Sequence, residues 1–425
     1  MKKTLRRIVV MAGCIALLIL VLCPMGAQMS VDPGQSGPYA VAHVTITATN
    51  PNTGSELVTD IYYPSSSGGV DPSGAPYPTL VFAHGLQASR IDHSGNGQHL
   101  ASWGYIVAIP DFPDDDIEVR ASDIQRLFSY LEAENANMGS LFSQKIDTGR
   151  FGMAGHSLGG LGTLMTSARD ARINLAAVPL DPVNPPDWLG NGTWDFEGEA
   201  PDITAPIGLI GAPAHTCNWD AQYNEMIPYI GATHVAKFVI VGGGHCDFLD
   251  GDDPLRAQVC GLLCGVQFSQ ERSELAERYT TAWFNYYLRL DTDFYAQLYG
   301  DQADQDIQAG RITRYVRTAP RGVAARGRVR AVGLTWTLYD HPIIAGYNIY
   351  RSQRSGNYPS IPYAQVGRVS SYVDTQVVPG RRYFYVLRSR DAAGNEHQPS
   401  DEVSAVPTGA WLDHHVYLLL ILKSR

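Results

Sequence analysis

The run Phe151-Gly152-Met153-Ala154-Gly155-His156-Ser157-Leu158-Gly159-Gly160 holds a Gly-x-Ser-x-Gly spacing between an apolar stretch that reads as a strand and a periodic stretch that reads as a helix. A serine at the tip of so sharp a turn takes strained backbone angles, and its neighbours two residues away must be glycine to avoid clashes. Ser157 is therefore the expected nucleophile. A phosphate cradle is the rival chemistry for a glycine-rich helix start, but neither G-x-x-x-x-G-K-S/T nor G-x-G-x-x-G occurs. An alkoxide nucleophile needs a base. His245, closing Val239-Ile-Val-Gly-Gly-Gly-His245 just past the last core strand, fits that place. Of the 12 histidines, His84 reads as a local hydrogen-bond partner and His156 as pointing away from a substrate, with His215 and His234 in reserve should His245 fail. Two loops could supply the carboxylate that orients the imidazole. Asp181, in Val178-Pro-Leu-Asp-Pro-Val, is preferred because it ends a buried strand and precedes a rigid proline; the loop from Gly211 offers no carboxylate before Asp220.

These residues need a scaffold that brings loop ends together. Val41–Thr47 and Leu57–Tyr63 alternate with period two, as an antiparallel pair at a sheet edge would. Leu80–Ala83, Tyr105–Ile109, Phe151–Ala154, Leu175–Leu180, Ile207–Ile210 and Lys237–Val241 are short continuous apolar runs, expected of strands covered on both faces. Helical patterns at Gln98–Trp103, Ala121–Glu134, Leu158–Ala168, Asp220–Tyr229 and Glu271–Leu290 alternate with them. The predicted class is thus α/β, a mostly parallel sheet flanked by helices, with function at the carboxyl ends of the strands. From about Thr318 the texture turns all-β, and Asp291 to Arg317 reads as the end of the first domain and a linker.

The N-terminus has a basic start, an apolar stretch from Ile8 to Cys23 and a small-residue exit, which predicts a secretory signal cleaved near Ala27. An uncleaved membrane anchor is the alternative; a lipoprotein site at Cys23 is weaker because Leu22 is not small. The expected layout is signal 1–27, catalytic domain 28–310, linker 311–317, all-β domain 318–408 and tail 409–425, the last too short to span a bilayer. The net charge of −10 hides an asymmetry: residues 28–310 carry 12 Lys/Arg against 35 Asp/Glu, and residues 311–408 carry 14 Arg against 6 acids. An exported chain whose large domain repels phosphate is not expected to bind nucleic acid. The basic segment is the one candidate for holding an anionic surface or polymer. It is expected to be a spacer or binding appendage that can be removed without loss of activity on soluble substrates.

Gly155-His-Ser-Leu-Gly-Gly, Leu180-Asp-Pro-Val-Asn, Gly244-His-Cys-Asp-Phe-Leu-Asp-Gly-Asp-Asp253 and His99-Leu-Ala-Ser-Trp-Gly-Tyr-Ile-Val together resemble the chlorophyllase branch of the α/β-hydrolases. More distantly the chain is similar to platelet-activating-factor acetylhydrolases and cutinase-type polyester hydrolases, over about residues 38–290. The resemblance implies an α/β-hydrolase fold, a triad of Ser157, Asp181 and His245, and action on carboxylic esters, small or polymeric. Leu158 stands where the chlorophyllase elbow has arginine, which argues against chlorophyll as substrate. His215 stands where cutinase-type enzymes carry their acid, which favours Asp181. The oxyanion would be met by the backbone N–H groups of Leu86 and Leu158. Trp188, Trp194 and Trp219 are candidates for apolar substrate surface, each equally able to be core. Trp336 and the run Val377-x-Pro379-Gly380-x-x-Tyr383 resemble the core tryptophan and tyrosine corner of a fibronectin type III domain, implying a small immunoglobulin-like sandwich.

After signal removal Cys217, Cys246, Cys260 and Cys264 remain, expected as two disulfides with three possible pairings. A bridge at Cys246 would fasten the His245 loop. A zinc site is weaker, because C-x-x-x-C lacks a second pair, and Asp247, Asp250, Asp252 and Asp253 read as a solvated acidic loop rather than a calcium site. No metal or cofactor is expected, and a monomer is. The alternative to an esterase is an inactive hydrolase fold serving in adhesion.

Overall fold

In Tyr77-Pro-Thr-Leu-Val-Phe-Ala83 every residue is buried, Leu80 and Phe82 entering one core and Val81 and Ala83 another. A strand apolar on both faces needs cover on both, and helices either side of a parallel sheet provide it. The computed structural model describes residues 32–50, 54–186, 190–249 and 254–409; the expected signal, the tail past 409, Trp188, Asp250, Asp252 and Asp253 lie outside the described residues.

The first ten strands are β1 (Val41–Thr49), β2 (Glu56–Ser66), β3 (Gly69–Val70), β4 (Tyr77–Ala83), β5 (Ile106–Pro110), β6 (Ile146–His156), β7 (Ala177–Leu180), β8 (Ile207–Gly211), β9 (Val235–Ile240) and β10 (Ile312–Arg317). They form one sheet in the order β1-β2-β5-β4-β6-β7-β8-β9-β10, with β3 paired to β2. Strands β5, β4, β6, β7, β8 and β9 run parallel, while β1, β2 and β10 are antiparallel to their neighbours. The expected antiparallel edge is present, and Val41 lies opposite Pro64 in it. The helices are α1 (Ser94–Ser102), α2 (Ile117–Ala136), α3 (Leu158–Arg169), α4 (Phe196–Glu199), α5 (Tyr223–Met226), α6 (Pro254–Cys264), α7 (Gln270–Tyr287), α8 (Tyr295–Leu298) and α9 (Asp301–Gln308). Helix α2 begins where the Asp116 carboxylate accepts from the N–H groups of Glu118 and Val119 (2.8 and 3.1 Å). Its buried stripe of Ile117, Ala121, Ile124, Leu127, Phe128 and Leu131 has the spacing of one helix face. Apolar residues of α2 and α3 belong to one core and those of α1 and α7 to the other.

Residues 311–317 were expected as a linker, but Ile312–Arg317 form β10, paired with Val235–Ile240 along its length. The reason is an edge-strand pattern: Ile312 is buried, whereas Arg314 and Arg317 lie at the margin, so the run looks polar while closing the sheet. Helix α6 is likewise absent from the sequence reading.

Beyond β10 lie β11 (Ala324–Arg328), β12 (Ala331–Thr335), β13 (Gly346–Ser352), β14 (Ala364–Val366), β15 (Ser371–Asp374), β16 (Tyr383–Arg390), β17 (Glu396–Pro399) and β18 (Val403–Ala405). They build a three-stranded sheet, β11-β12-β15, and a five-stranded one, β14-β13-β16-β17 with β18 on β16. This is an all-β region. Trp336 is buried 5.4 Å from the Tyr347 ring, and the Tyr383 hydroxyl accepts from the Val378 N–H at 3.0 Å.

The region expected as a removable appendage packs closely against the rest of the fold. The described residues from Asp32 on form one compact unit, and a single apolar core runs from α7 into the β region, joining Trp283, Tyr286 and Tyr287 to Trp336, Tyr339, Ile344 and Tyr347. Polar groups cross the same seam: Tyr286 donates to Asp391 (3.1 Å), His341 bonds the Leu175 carbonyl (3.0 Å) and Arg321 donates to the Gly231 carbonyl (2.9 Å). His234 packs 4.4 Å from both Tyr339 and His397. Burial pushes the His341 and His397 imidazoles down to about 4 and about 3, so these rings stay neutral.

Candidate active site

Ser157 sits between β6 and α3 with φ 59° and ψ −119°, a left-handed backbone that a serine adopts only under constraint. The flanking glycines have a measurable reason. A methyl at Gly155 would lie 2.4 Å from the Gly159 carbonyl, and one at Gly159 would lie 2.1 Å from the Ala83 carbonyl. The turn is tied through its main chain, Ser157 donating to the Leu180 carbonyl (3.0 Å) and accepting from Leu161 and Val183 (3.0 and 3.2 Å). The residues after β4 press against it, since a methyl on Gly85 would meet the Ser157 Cβ at 3.0 Å. Leu86 and Leu158, the expected oxyanion donors, both line the cleft beside Ser157.

That His84–Leu86 turn is held by a residue the sequence reading passed over. Arg120, buried on α2, donates from one guanidinium nitrogen to the His84 carbonyl (2.9 Å) and from another to the Asp115 carboxylate. Its only sequence signal was a charge on the apolar side of a helix. His84 bonds locally, its Nδ1 facing the Gly85 carbonyl (2.8 Å) and its Nε2 accepting from the Phe112 N–H (3.1 Å). Burial first, then the Arg120 charge, pushes its imidazole down to about 4.

Asp181 follows β7, wholly buried, with φ 40°. Its Oδ2 lies 2.6 Å from His245 Nδ1 and 3.0 Å from His215 Nε2. Its Oδ1 accepts from Asn218 Nδ2 (3.1 Å) and from the Ala212 N–H (3.3 Å). Burial opposes ionisation here, but the hydrogen bonds from His215 and His245 outweigh it and hold the carboxyl well below the usual range. His245 opens a short helical turn, His245–Phe248, after β9. Asp220 is exposed and stands apart from this cluster. His234 lies at the seam with the β region. The His156 ring is buried against His93, His245 and Phe248, 4.4 Å from the ring of His245.

Asp181, His215 and His245 are close enough to share a metal ion. The donor chemistry does not suit one. His215 Nδ1 accepts from the Asn218 N–H (3.1 Å), so Nε2, the nitrogen facing the others, carries a proton and has no lone pair to offer. Asp247 is buried in an ion pair with Arg272 (2.6 Å) and accepts from the Gly244 N–H (2.8 Å), so it is a loop brace and not part of a solvated acidic loop.

The cleft has a volume of about 710 Å³ and is lined by Ser157 and His245 together with Leu86, Leu158, Leu249, Trp219 and the α6 side chains Leu255, Val259 and Leu263. Trp219 is 65% exposed at its rim. Trp194 is not on the wall: it is 2% exposed in the core under α2 and α3, where its side chain fills space between elements. Helix α6 is pinned by two disulfides, Cys246–Cys260 and Cys217–Cys264. The first ties the residue after His245 to the cleft wall across 14 positions, a loop whose closure is worth about 3 kcal/mol.

Such an arrangement can pass a proton from a serine hydroxyl to an imidazole whose tautomer a carboxylate fixes. Residues 23–214 match a family model described as PETase, PET hydrolase-like. The chain is 30% identical over 205 residues to a bis(hydroxyethyl) terephthalate hydrolase of Streptomyces coelicolor, covering 48% of this chain and 58% of that one. It is 26% identical over 204 residues to cutinase est1 of Thermobifida alba (46% and 59%), and 25% identical over 183 residues to cutinase 1 of Thermobifida cellulosilytica (43% and 61%). The chain therefore spans about three fifths of the length of these relatives. The likeness is to the cutinase-type group that the sequence reading put second to chlorophyllase. Residues 23–214 are thus similar to hydrolases of the PET hydrolase-like, cutinase-like kind.

Proposed function

We propose that the protein is an exported serine hydrolase that cleaves carboxylic esters bearing an apolar acyl or aromatic group. The observation that carries this reading is the 2.6 Å contact between His245 Nδ1 and Asp181, in a cleft that also exposes the strained Ser157. In the proposed cycle Ser157 Oγ bonds to the acyl carbon while His245 Nε2 takes its proton. The negative oxygen is met by the N–H groups of Leu86 and Leu158. The ester C–O bond then breaks, His245 returns the proton to the leaving alcohol, and water repeats the sequence on the acyl-serine. Leu86, Leu249, Leu255, Val259, Leu263 and Trp219 offer the apolar wall such an acyl group needs. The relatives named for bis(hydroxyethyl) terephthalate and for cutin make aromatic diesters and aliphatic polyesters the substrates to try first. The basic, apolar N-terminus and the two disulfides support export.

Hydrolysis of p-nitrophenyl esters of graded acyl length and of bis(hydroxyethyl) terephthalate tests the reading against an inactive adhesion fold. Asp181→Asn should lower turnover on the order of 10⁴-fold, by the effect of the equivalent change in serine proteases, and Asp220→Asn should leave it unchanged. The reverse pattern would transfer the orienting role to the later loop.

We further propose that the β region, an immunoglobulin-like sandwich in this reading, holds an anionic polymer. Arg326, Arg328 and Arg330 are exposed along the β11 edge. The Arg328–Thr408 and Gly380–Pro407 backbone bonds (3.0 and 2.9 Å) bring the Arg381–Arg382 turn to the same edge. Among the described residues, the domain's ion pairs use Arg351, Arg368 and Arg388 instead. The wild type should bind sulfated dextran at low salt and elute as salt rises; Arg326→Glu/Arg328→Glu/Arg330→Glu should elute earlier with soluble-ester hydrolysis unchanged. Identical elution would rule the surface out.

A further inference from the structure

Asp181 has more partners than a histidine-orienting carboxylate requires, and one of them, His215, has its chemistry fixed by a bond on its far side. Its Nδ1 accepts the Asn218 N–H at 3.1 Å, which leaves the proton on Nε2, 3.0 Å from Asp181 Oδ2. The same oxygen receives His245 Nδ1 at 2.6 Å, so two imidazole N–H groups converge on one lone-pair-bearing atom. Asn218 is fixed too. Its Oδ1 accepts from the Gln222 N–H at 3.0 Å, so its Nδ2 must be the atom that faces Asp181 Oδ1. The hairpin that carries both residues is closed by backbone bonds His215–Asn218 in each direction (3.2 and 3.0 Å) and anchored through Cys217 to Cys264.

We propose that His215 is a positioning residue for ester hydrolysis: an Nε2–H donor that fixes the rotation of the Asp181 carboxylate and lowers its basicity, so that the proton taken from Ser157 stays on His245. This rests on the reading above that Asp181 orients His245. A carboxylate with two donors on each oxygen cannot turn about its Cβ–Cγ bond without breaking bonds in a buried site, where an unmade bond is costly. With His215 gone, Oδ2 keeps a single partner, the carboxylate gains freedom, and its pull on a protonated His245 strengthens. The first effect lowers kcat. The second moves the acidic limb of the kcat/KM profile to higher pH. The other titratable groups facing the pair, among the described residues, are few. His156 on β6 packs against the His245 ring and is pushed well below its ordinary value by burial. Tyr223 on α5, pushed upward by burial and then by Asp181, donates to the Ala212 carbonyl. Arg256 on α6 is paired with Asp92 at the cleft rim, and Asp247 is paired with Arg272. None of them replaces the N–H that His215 supplies.

The test compares His215→Leu, which keeps bulk and removes the donor, with His215→Gln, whose amide reaches the same place. Both are assayed on a soluble p-nitrophenyl ester from acidic to alkaline pH. His215→Leu should lose roughly tenfold to a hundredfold in kcat, the worth of one hydrogen bond to a charged group, with KM within about twofold. Its acidic limb should rise by about one pH unit, the same order of interaction expressed on the pH axis. His215→Gln should recover most of the rate and the wild-type limb. Wild-type behaviour of His215→Leu, or equal impairment of both variants with an unmoved limb, would overturn the proposal and leave His215 as packing. If His215→Leu fails to fold, nitrogen-15 histidine spectra of the wild type decide: the Nε2–H tautomer for His215 at neutral pH supports the proposal, and the Nδ1–H tautomer overturns it. An Asp181→Asn variant with full activity would instead sink the underlying triad reading, so the two failures are distinguishable.

Discussion

Replacing Ser157 with alanine is expected to cut soluble-ester hydrolysis on the order of 10⁶-fold, the loss seen when a serine nucleophile is removed from such a set, while circular dichroism and melting temperature stay at wild-type values. The fold should survive because the elbow is held by the main chain of Ser157, through Leu180, Leu161 and Val183, and alanine keeps those bonds. It also keeps the left-handed backbone at the cost serine already bears. What disappears is the one atom that can bond to the acyl carbon. His245→Ala should fall nearly as far, and the double variant should be no worse than either single one, because groups acting as a unit do not lose activity additively. Activity in a folded Ser157→Ala protein above roughly a few per cent of wild type would move the nucleophile elsewhere and take the proposed function with it.

Ser157, Asp181 and His245 stand out as candidates in the sequence because each lies just past a continuous apolar run, and in a parallel sheet such runs deliver their ends to one edge, where Asp181 meets His245 and the cleft holds both Ser157 and His245. Leu80–Ala83 and Ile207–Ile210 were legible for the same local reason. What was not legible is non-local. His215 looked like a spare base, and only the fold reveals that its loop folds back under Asp181. Helix α6 was missed because Leu255, Val259 and Leu263 are exposed along the cleft instead of packing inward, so its pattern does not mark a core. Trp194 and Trp219 have the same composition signal and opposite fates, 2% and 65% exposed, which sequence spacing cannot separate. The seam escaped notice because Tyr286 and Tyr287 read as ordinary core of a long helix; that their cover comes from the distant β region, Tyr286 meeting Asp391 and Tyr287 meeting His341, is a property of topology.

That seam carries the second large expectation: a fragment ending at Arg317 should not fold. The cut leaves every triad candidate and β10 in place, so a spacer-type appendage would be lost without consequence. It also strips the cover from Tyr286, Tyr287, Tyr295 and Tyr299, whose rings lie against His341 or His397, and uncovers His234 from Tyr339. Exposing a fully buried ring of this size costs about 2 kcal/mol, so Tyr286 and Tyr287 alone approach about 4 kcal/mol, a large share of the net stability of about 5–15 kcal/mol that a domain holds. The Tyr286 hydroxyl, which now bonds Asp391 and His397 across the seam, would also have to find water. The expected result is a fragment of residues 28–317 that aggregates, shows no cooperative melting and hydrolyses nothing, while the full chain does all that is proposed above. A soluble fragment that melts cooperatively and matches the full chain on p-nitrophenyl esters would show instead that the hydrolase core closes on itself, with the β region as an attached passenger.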